Sequence, residues 1–145
     1  MKFLVQRVKN AQVEVENKIV GKIDKGFLVL IGITHTDTKE KADFLVKRLV
    51  NLRIFEDENE KMNLALNDVG GSLLLVSQFT LYGDCSGGNR PSFTEAAKPE
   101  LANELYEYII SECKKKINKV ETGVFGAHMD IELLNDGPVT IMLEK

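Results

Sequence analysis

The run 27-FLVLIGI-33 carries no charged or hydrogen-bonding side chain, and it constrains the fold more than any other stretch. A strand that is apolar on both of its alternating faces is stable only where both faces are covered, so it belongs in the middle of a sheet. The chain must supply neighbours on either side of it. With 145 residues, 43% of them hydrophobic, it is long enough to do so as one domain, residues 1–145, without metal or disulfide staples.

The neighbours are legible in the periodicity. Apolar and polar residues alternate through Val5, Arg7, Val13 and Val15, break at 16-ENK-18 and resume at 19-IVGKI-23, which predicts two strands joined by a turn. From Lys39 to Leu52 the residues Ala42, Leu45, Val46 and Leu49 recur at helical spacing, and Asp37 with Glu40 resembles a capping box. A short strand 53-RIF-55 precedes 56-EDENEK-61, which reads as a solvated turn because no spaced set of oxygen ligands accompanies it. Pro99 opens a second helix with Leu101, Leu105, Tyr108 and Ile109 on one face, and 114-KKK-116 at its end suits the helix dipole. The segments 128-HMDIELL-134 and 139-VTIMLE-144 alternate again around 135-NDGP-138, predicting a hairpin. Seven or eight strands with two helices, not arranged as repeating βαβ units, make an α+β protein.

Several function classes are excluded. A net charge of −3 argues against a surface that coats nucleic acid, though it leaves room for a local contact. Cys85 and Cys113 are too few for a disulfide framework or a metal site and read as reduced thiols. The apolar run at the N-terminus is too short, and too soon interrupted by Arg7 and Lys9, for a signal peptide, and no run approaches the ~20 residues of a membrane span. A cytoplasmic location follows. No G-x-S-x-G elbow or H-E-x-x-H is present, and neither His35 nor His128 neighbours a nucleophile in sequence. The glycine-rich 83-GDCSGGNRPSF-93 matches neither phosphate-loop pattern.

One strand breaks its own pattern. The apolar 73-LLLV-76 continues into Ser77, Gln78 and Thr80, whose hydroxyls and amide cost free energy if buried without partners. Read as a strand through Tyr82, the run places Val76, Gln78, Thr80 and Tyr82 on one face and Ser77, Phe79 and Leu81 on the other. These polar groups either satisfy one another at a sheet end or face a ligand.

Taken together, the runs 6-QRV-8, 53-RIFED-57, 61-KMNL-64, 70-GGSLLLVSQFTLYGD-84, 89-NRPSF-93, 122-TGVFGAHM-129 and 135-NDGPVT-140 resemble the D-aminoacyl-tRNA deacylases, over essentially the entire chain. The specific signal is SQFTL paired with GPVT. One departure is Gly87, where family members commonly carry a basic residue before the loop glycine.

The resemblance implies a barrel-like, mainly antiparallel sheet with two packing helices, a homodimer, and hydrolysis of the ester joining a D-amino acid to the 3′ aminoacyl-adenosine end of tRNA. It implies no cofactor and no metal. It places Thr80 beside the scissile ester, Ser77, Gln78, Phe79 and Met129 around the terminal adenosine, and a cis Gly137–Pro138 unit in the partner subunit's active site, with Arg7 holding one of its carbonyls. On this basis an L side chain is rejected by the Gly-Pro backbone, whereas glycyl-tRNA is not excluded. The competing expectation is a dimeric module that binds the 3′ end of tRNA without turning it over.

Overall fold

The computed structural model describes all residues 1–145 and contains eight strands and two helices. Strand β1 (Lys2–Val15) is the spine. Along one edge it pairs antiparallel first with β3 (Gly26–Gly32) and then with β2 (Lys18–Ile23). Glu16 and Asn17, both at positive φ, make the tight turn between β1 and β2. Along its other edge β1 pairs with β8 (Asp130–Glu144). The sheet continues from β3 through β6 (Ser72–Ser77) to β7 (Val120–Thr122). It curls until β2 meets β7 at Gly21, where a Cβ would lie 2.5 Å from the Thr122 carbonyl oxygen. The result is a nearly closed, barrel-like mixed sheet.

The mixture is a departure from expectation. β3–β6 and β6–β7 are parallel pairs, because helix α1 (Lys39–Val50) crosses over between the first two strands and α2 (Pro99–Lys114) between the second two. Both helices cover the same face. There Phe3, Val5, Phe27, Val29, Ile31, Leu73 and Leu75 meet Leu45 and Leu49 of α1 and Leu105, Tyr106 and Ile109 of α2. The opposite face of the same strands buries Val8, Val13, Ile23, Leu28, Leu74 and Val76 inside the curl. β3 is central and covered on both faces, as its composition requires.

Four local expectations are corrected. α1 is capped by Thr38, which accepts from the Lys41 amide, and not by Asp37. Asp37 is buried, where it accepts from the Met1 ammonium at 2.8 Å and the Thr34 amide at 2.8 Å, a stronger use of a carboxylate than a solvated cap. On α2 it is Tyr106 that is fully buried, its hydroxyl donating to the Leu75 carbonyl at 2.8 Å, while Tyr108 is half-buried and donates to Asp43. The short strand is β4 (Phe55–Glu56), paired with β5 (Met62–Leu64), rather than Arg53–Phe55. The acidic stretch between them is a turn, organised by Asp57 accepting from the Asn59 and Lys61 amides.

The last correction matters most. Residues 128–144 form no hairpin, because both halves of β8 run in one direction along β1, from Glu14↔Asp130 to Lys2↔Glu144. The register shifts around Val8, where β8 carries extra residues, so 135-NDGP-138 is a bulge in one strand. Asn135 closes it locally, accepting from the Val139 amide at 2.7 Å and donating to the Val139 carbonyl at 3.2 Å. Gly137 sits at φ +134, and its bond to Pro138 is cis.

Arg7 braces the bulge from behind. Its Nε donates to the Asp136 carbonyl at 2.9 Å and its Nη1 to the Ile54 carbonyl at 2.6 Å, with the side chain 6% exposed. Arg7 is thus buried, although its place in an alternating run reads equally well as surface, and the carbonyl it holds is that of Asp136 rather than one of the Gly137–Pro138 unit. A Cβ at Gly137 would stand 3.0 Å from Arg7 Nη2, so glycine is needed there both for its φ and for the guanidinium. Replacing Arg7→Met keeps an apolar stem but leaves two carbonyls without their donor. We expect it to lower unfolding free energy by about 2–4 kcal/mol, read from the denaturant midpoint; a loss under about 1 kcal/mol would show that the brace is dispensable.

Candidate active site

β6 ends at Ser77, earlier than the alternation suggested, and Phe79–Tyr82 wind into a 3₁₀ turn. The face assignments past Ser77 therefore do not hold. The turn rests on the end of β3: the Gln78 amide donates to the Ile31 carbonyl at 2.7 Å, and a Cβ at Gly32 would lie 2.9 Å from Leu81 Cβ. Only glycine at that position lets the two backbones approach so closely. Within the turn the Leu81 amide donates to the Gln78 carbonyl and the Gly83 amide to that of Thr80. The amides of Phe79 and Thr80, at its start, have no acceptor in the chain.

Ser77, Gln78, Phe79 and Met129 line a groove of about 610 Å³. The structure thus brings these four side chains to one concavity. Thr80 is exposed beside them, its Oγ accepting from Gln78 Nε2 in a short contact. Phe79 is 57% exposed, a large apolar ring presented to solvent, and is steadied edge-on by Phe93 with ring centroids 5.1 Å apart. Phe93 and Phe125 also line the groove. Both lay inside quoted motifs, but nothing in their own spacing distinguished them from core aromatics.

The loop that carries Phe93 is pinned at several points. Asp84 Oδ1 accepts from the Ser86 amide, a bond that holds its carboxyl below the usual range, and the Asp84 and Ser92 backbones exchange two 2.8 Å bonds. Thr34 Oγ1 donates to the Glu95 carbonyl, and His35 Nε2 is 2.6 Å from that of Thr94. His35 thus ties the loop down. His128 lines the groove but is almost fully exposed, with Nε2 3.6 Å from Asp130 Oδ1.

Arg7, Gly137 and Pro138 are not brought to this groove. Arg7 is opposite Phe27, which is beside Leu73, whereas Ser77 lies four positions further along β6. At about 3.3 Å per residue that is ~13 Å along the sheet. Gly137 and Pro138 are both exposed, and neither lines this groove. A second concavity, about 900 Å³, lies between α1 and the end of β8 and contains none of the expected site residues.

Comparison with known proteins follows the same outline. A family model described as D-Tyr-tRNA(Tyr) deacylase matches residues 4–144. Proteins named D-aminoacyl-tRNA deacylase from Thermosipho africanus (strain TCF52B) and Clostridioides difficile (strain 630) are 58% and 56% identical over 145 residues, each match covering 100% of this chain and 97% of the relative. A solved structure named c-Myc DNA unwinding element binding protein superposes with a TM-score of 0.93 at 39% identity, over 100% of this chain and 99% of that one. Another, described as a probable eukaryotic D-amino acid tRNA deacylase, has a TM-score of 0.83 at 18% identity over 98% and 97%, a likeness of fold alone.

The contact between Gly32 and the 3₁₀ turn is open to a direct check. Gly32→Val should leave the barrel cooperatively folded while displacing the turn. Amide hydrogen exchange at Leu81 and Gly83 is expected to quicken by at least about tenfold, with β3 amides still protected. Unchanged exchange would mean that the turn does not depend on the close approach.

Proposed function

The chain belongs to the D-Tyr-tRNA(Tyr) deacylase family, and from that premise we propose that it hydrolyses the ester between a D-amino acid and the 3′ end of tRNA, releasing free amino acid and tRNA. The observation that carries the reading is the junction at Ser77–Thr80: a mostly apolar groove into which Ser77, Gln78 and the exposed Phe79 ring are set, bordered by two amides with no acceptor. As one domain spanning residues 1–145, it works in the cytoplasm, where tRNA is charged. No helix is long and apolar enough to cross a membrane.

Ser77, Gln78, Phe79 and Met129 hold the terminal adenosine, Phe79 offering a stacking surface of the kind unpaired bases use. The ester carbonyl then lies beside Thr80. Attack of water on that carbon forms a tetrahedral oxyanion, which the Phe79 and Thr80 amides stabilise; collapse expels the ribose oxygen, which leaves with a proton. An ester with a good leaving group needs orientation more than a strong base. Thr80 Oγ already accepts from Gln78, and no histidine, carboxylate or lysine bonds to it, so the terminal ribose 2′-hydroxyl, rather than a threonine nucleophile, assists the water.

Chiral selection requires a second copy of the chain. The exposed Gly137–Pro138 bulge does not line its own chain's groove and is braced from within by Arg7. In a homodimer it enters the partner's site, accepts from the substrate α-ammonium and leaves no room for an L side chain. Arg7 is a positioning residue in this scheme. Glycyl-tRNA, having no side chain to reject, is also a substrate.

The deciding measurement is release of tyrosine from D-tyrosyl-tRNA and L-tyrosyl-tRNA by the same preparation. We expect the D ester to be cleaved at least about a hundredfold faster. Equal release overturns the reading, and tight binding of uncharged tRNA with no release from either ester identifies a non-catalytic binding module instead. Thr80→Ala separates the two chemical routes: a rate within about tenfold of wild type is expected for the RNA-assisted route, whereas a loss beyond about a thousandfold makes Thr80 the nucleophile.

A further inference from the structure

The second concavity, between α1 and β8, is edged by cations. Lys47, Arg48 and Arg53 line it, Lys145 stands at its edge, and all four are exposed. None of the four has a side-chain carboxylate within 4.0 Å, as is true of most cations on this chain, but here four of them surround one concavity. The groove's own carboxylate, Glu144, is a single opposing charge. Two of the cations are held in place by the exposed Phe44 ring, with Arg48 5.2 Å and Lys145 5.0 Å from its centroid. Four unneutralised cations around one groove, on a chain of net charge −3, form a local site for a polyanion.

Its position relates it to the candidate active site at both ends. At the Lys145 end, Leu143 pairs with Phe3, Phe3 with Ile31 and Ile31 with Ser77, so three strand spacings, about 14 Å, separate the groove from the start of the 3₁₀ turn. At the other end Arg53 adjoins Ile54, whose carbonyl shares Arg7 with the Asp136 carbonyl of the bulge. A 3′ terminus seated in its own groove, or in a partner's groove under the bulge, has its preceding nucleotides within reach of this surface.

We infer that the α1–β8 groove binds the phosphodiester backbone of the substrate tRNA near its acceptor end. The inference rests on the deacylase reading for the identity of the RNA, but the binding itself can be measured without catalysis. Phosphate contacts position the RNA and carry no base specificity, in keeping with two lysine ammonium groups and two arginine forks, the latter suited to phosphate, around a partly apolar floor.

The test uses the triple variant Lys47→Gln, Arg48→Gln, Arg53→Gln, with a melting curve to verify the fold. For D-tyrosyl-tRNA, KM should rise about tenfold or more with kcat unchanged, while cleavage of D-tyrosyl-adenosine, which has no phosphodiester backbone, stays at the wild-type level. Binding of uncharged tRNA should weaken in parallel, and the slope of log K against log salt should become shallower by about 2, as expected for losing three phosphate contacts. Unchanged tRNA affinity and salt slope, or an equal loss on both esters, would overturn the inference. If the wild-type protein cleaves neither ester, the deacylase reading fails by itself, and the binding and salt-slope measurements still decide the groove.

Discussion

A buried guanidinium sets the terms on which the two halves of this structure meet. Arg7 has lost nearly all contact with water, and its charge is tolerable because carbonyls from two separate segments, Ile54 and Asp136, accept its protons, with Asp136 and Glu56 carboxylates nearby. The same bonds fix the β8 bulge against β1. A strand that must pass a bulge without breaking its pairing needs a donor for the carbonyls it turns inward, and Arg7 provides it from β1. The ordered backbone at Gly137–Pro138 is a consequence of that arrangement.

The groove is built by a different economy of space. β6 delivers Ser77 to the end of the sheet, and the chain then tightens because Gly32 lets Leu81 rest against the end of β3. Tightening into a 3₁₀ turn directs the first two amides away from any internal acceptor and turns the Phe79 ring out to solvent. The bonds of Thr34, His35 and Asp84 to the following loop keep Phe93 against that ring. Side chains that looked misplaced in a core strand are therefore at a strand end, where they have access to a ligand. The bulge does not line its own chain's groove, which is why the proposed chemistry needs two copies.

Much of the scaffold was legible before any coordinates. β3 had to be central, α1 followed from Ala42, Leu45, Val46 and Leu49, and the turn at Glu16–Asn17 was announced by a break in alternation. Ser77, Gln78, Phe79 and Met129 were grouped through their motifs and line one groove. What failed were inferences that depend on a neighbour. NDGP is good turn chemistry, but a turn reverses the chain only if its flanks pair with each other, and here β1 is long enough to pair with both. Asp37 fits a cap by spacing, yet a buried ammonium was a better partner. Arg7 sits in an alternating run that reads equally well as surface.

The amino-acid sequence by itself determined what must be buried and which elements can bury it, because periodicity and side-chain polarity act over a few residues and need no partner. It also carried, in SQFTL and GPVT, enough specificity to indicate the family. Tertiary structure alone decided where the strand gives way to the 3₁₀ turn, that β8 bulges instead of reversing, and which cations remain unpaired around the α1–β8 groove. Each of these is settled by contacts between residues far apart in the chain, at Gly32 and Leu81, at Arg7 and Asp136, and at Phe44 and Lys145, and such contacts leave no local periodicity to read.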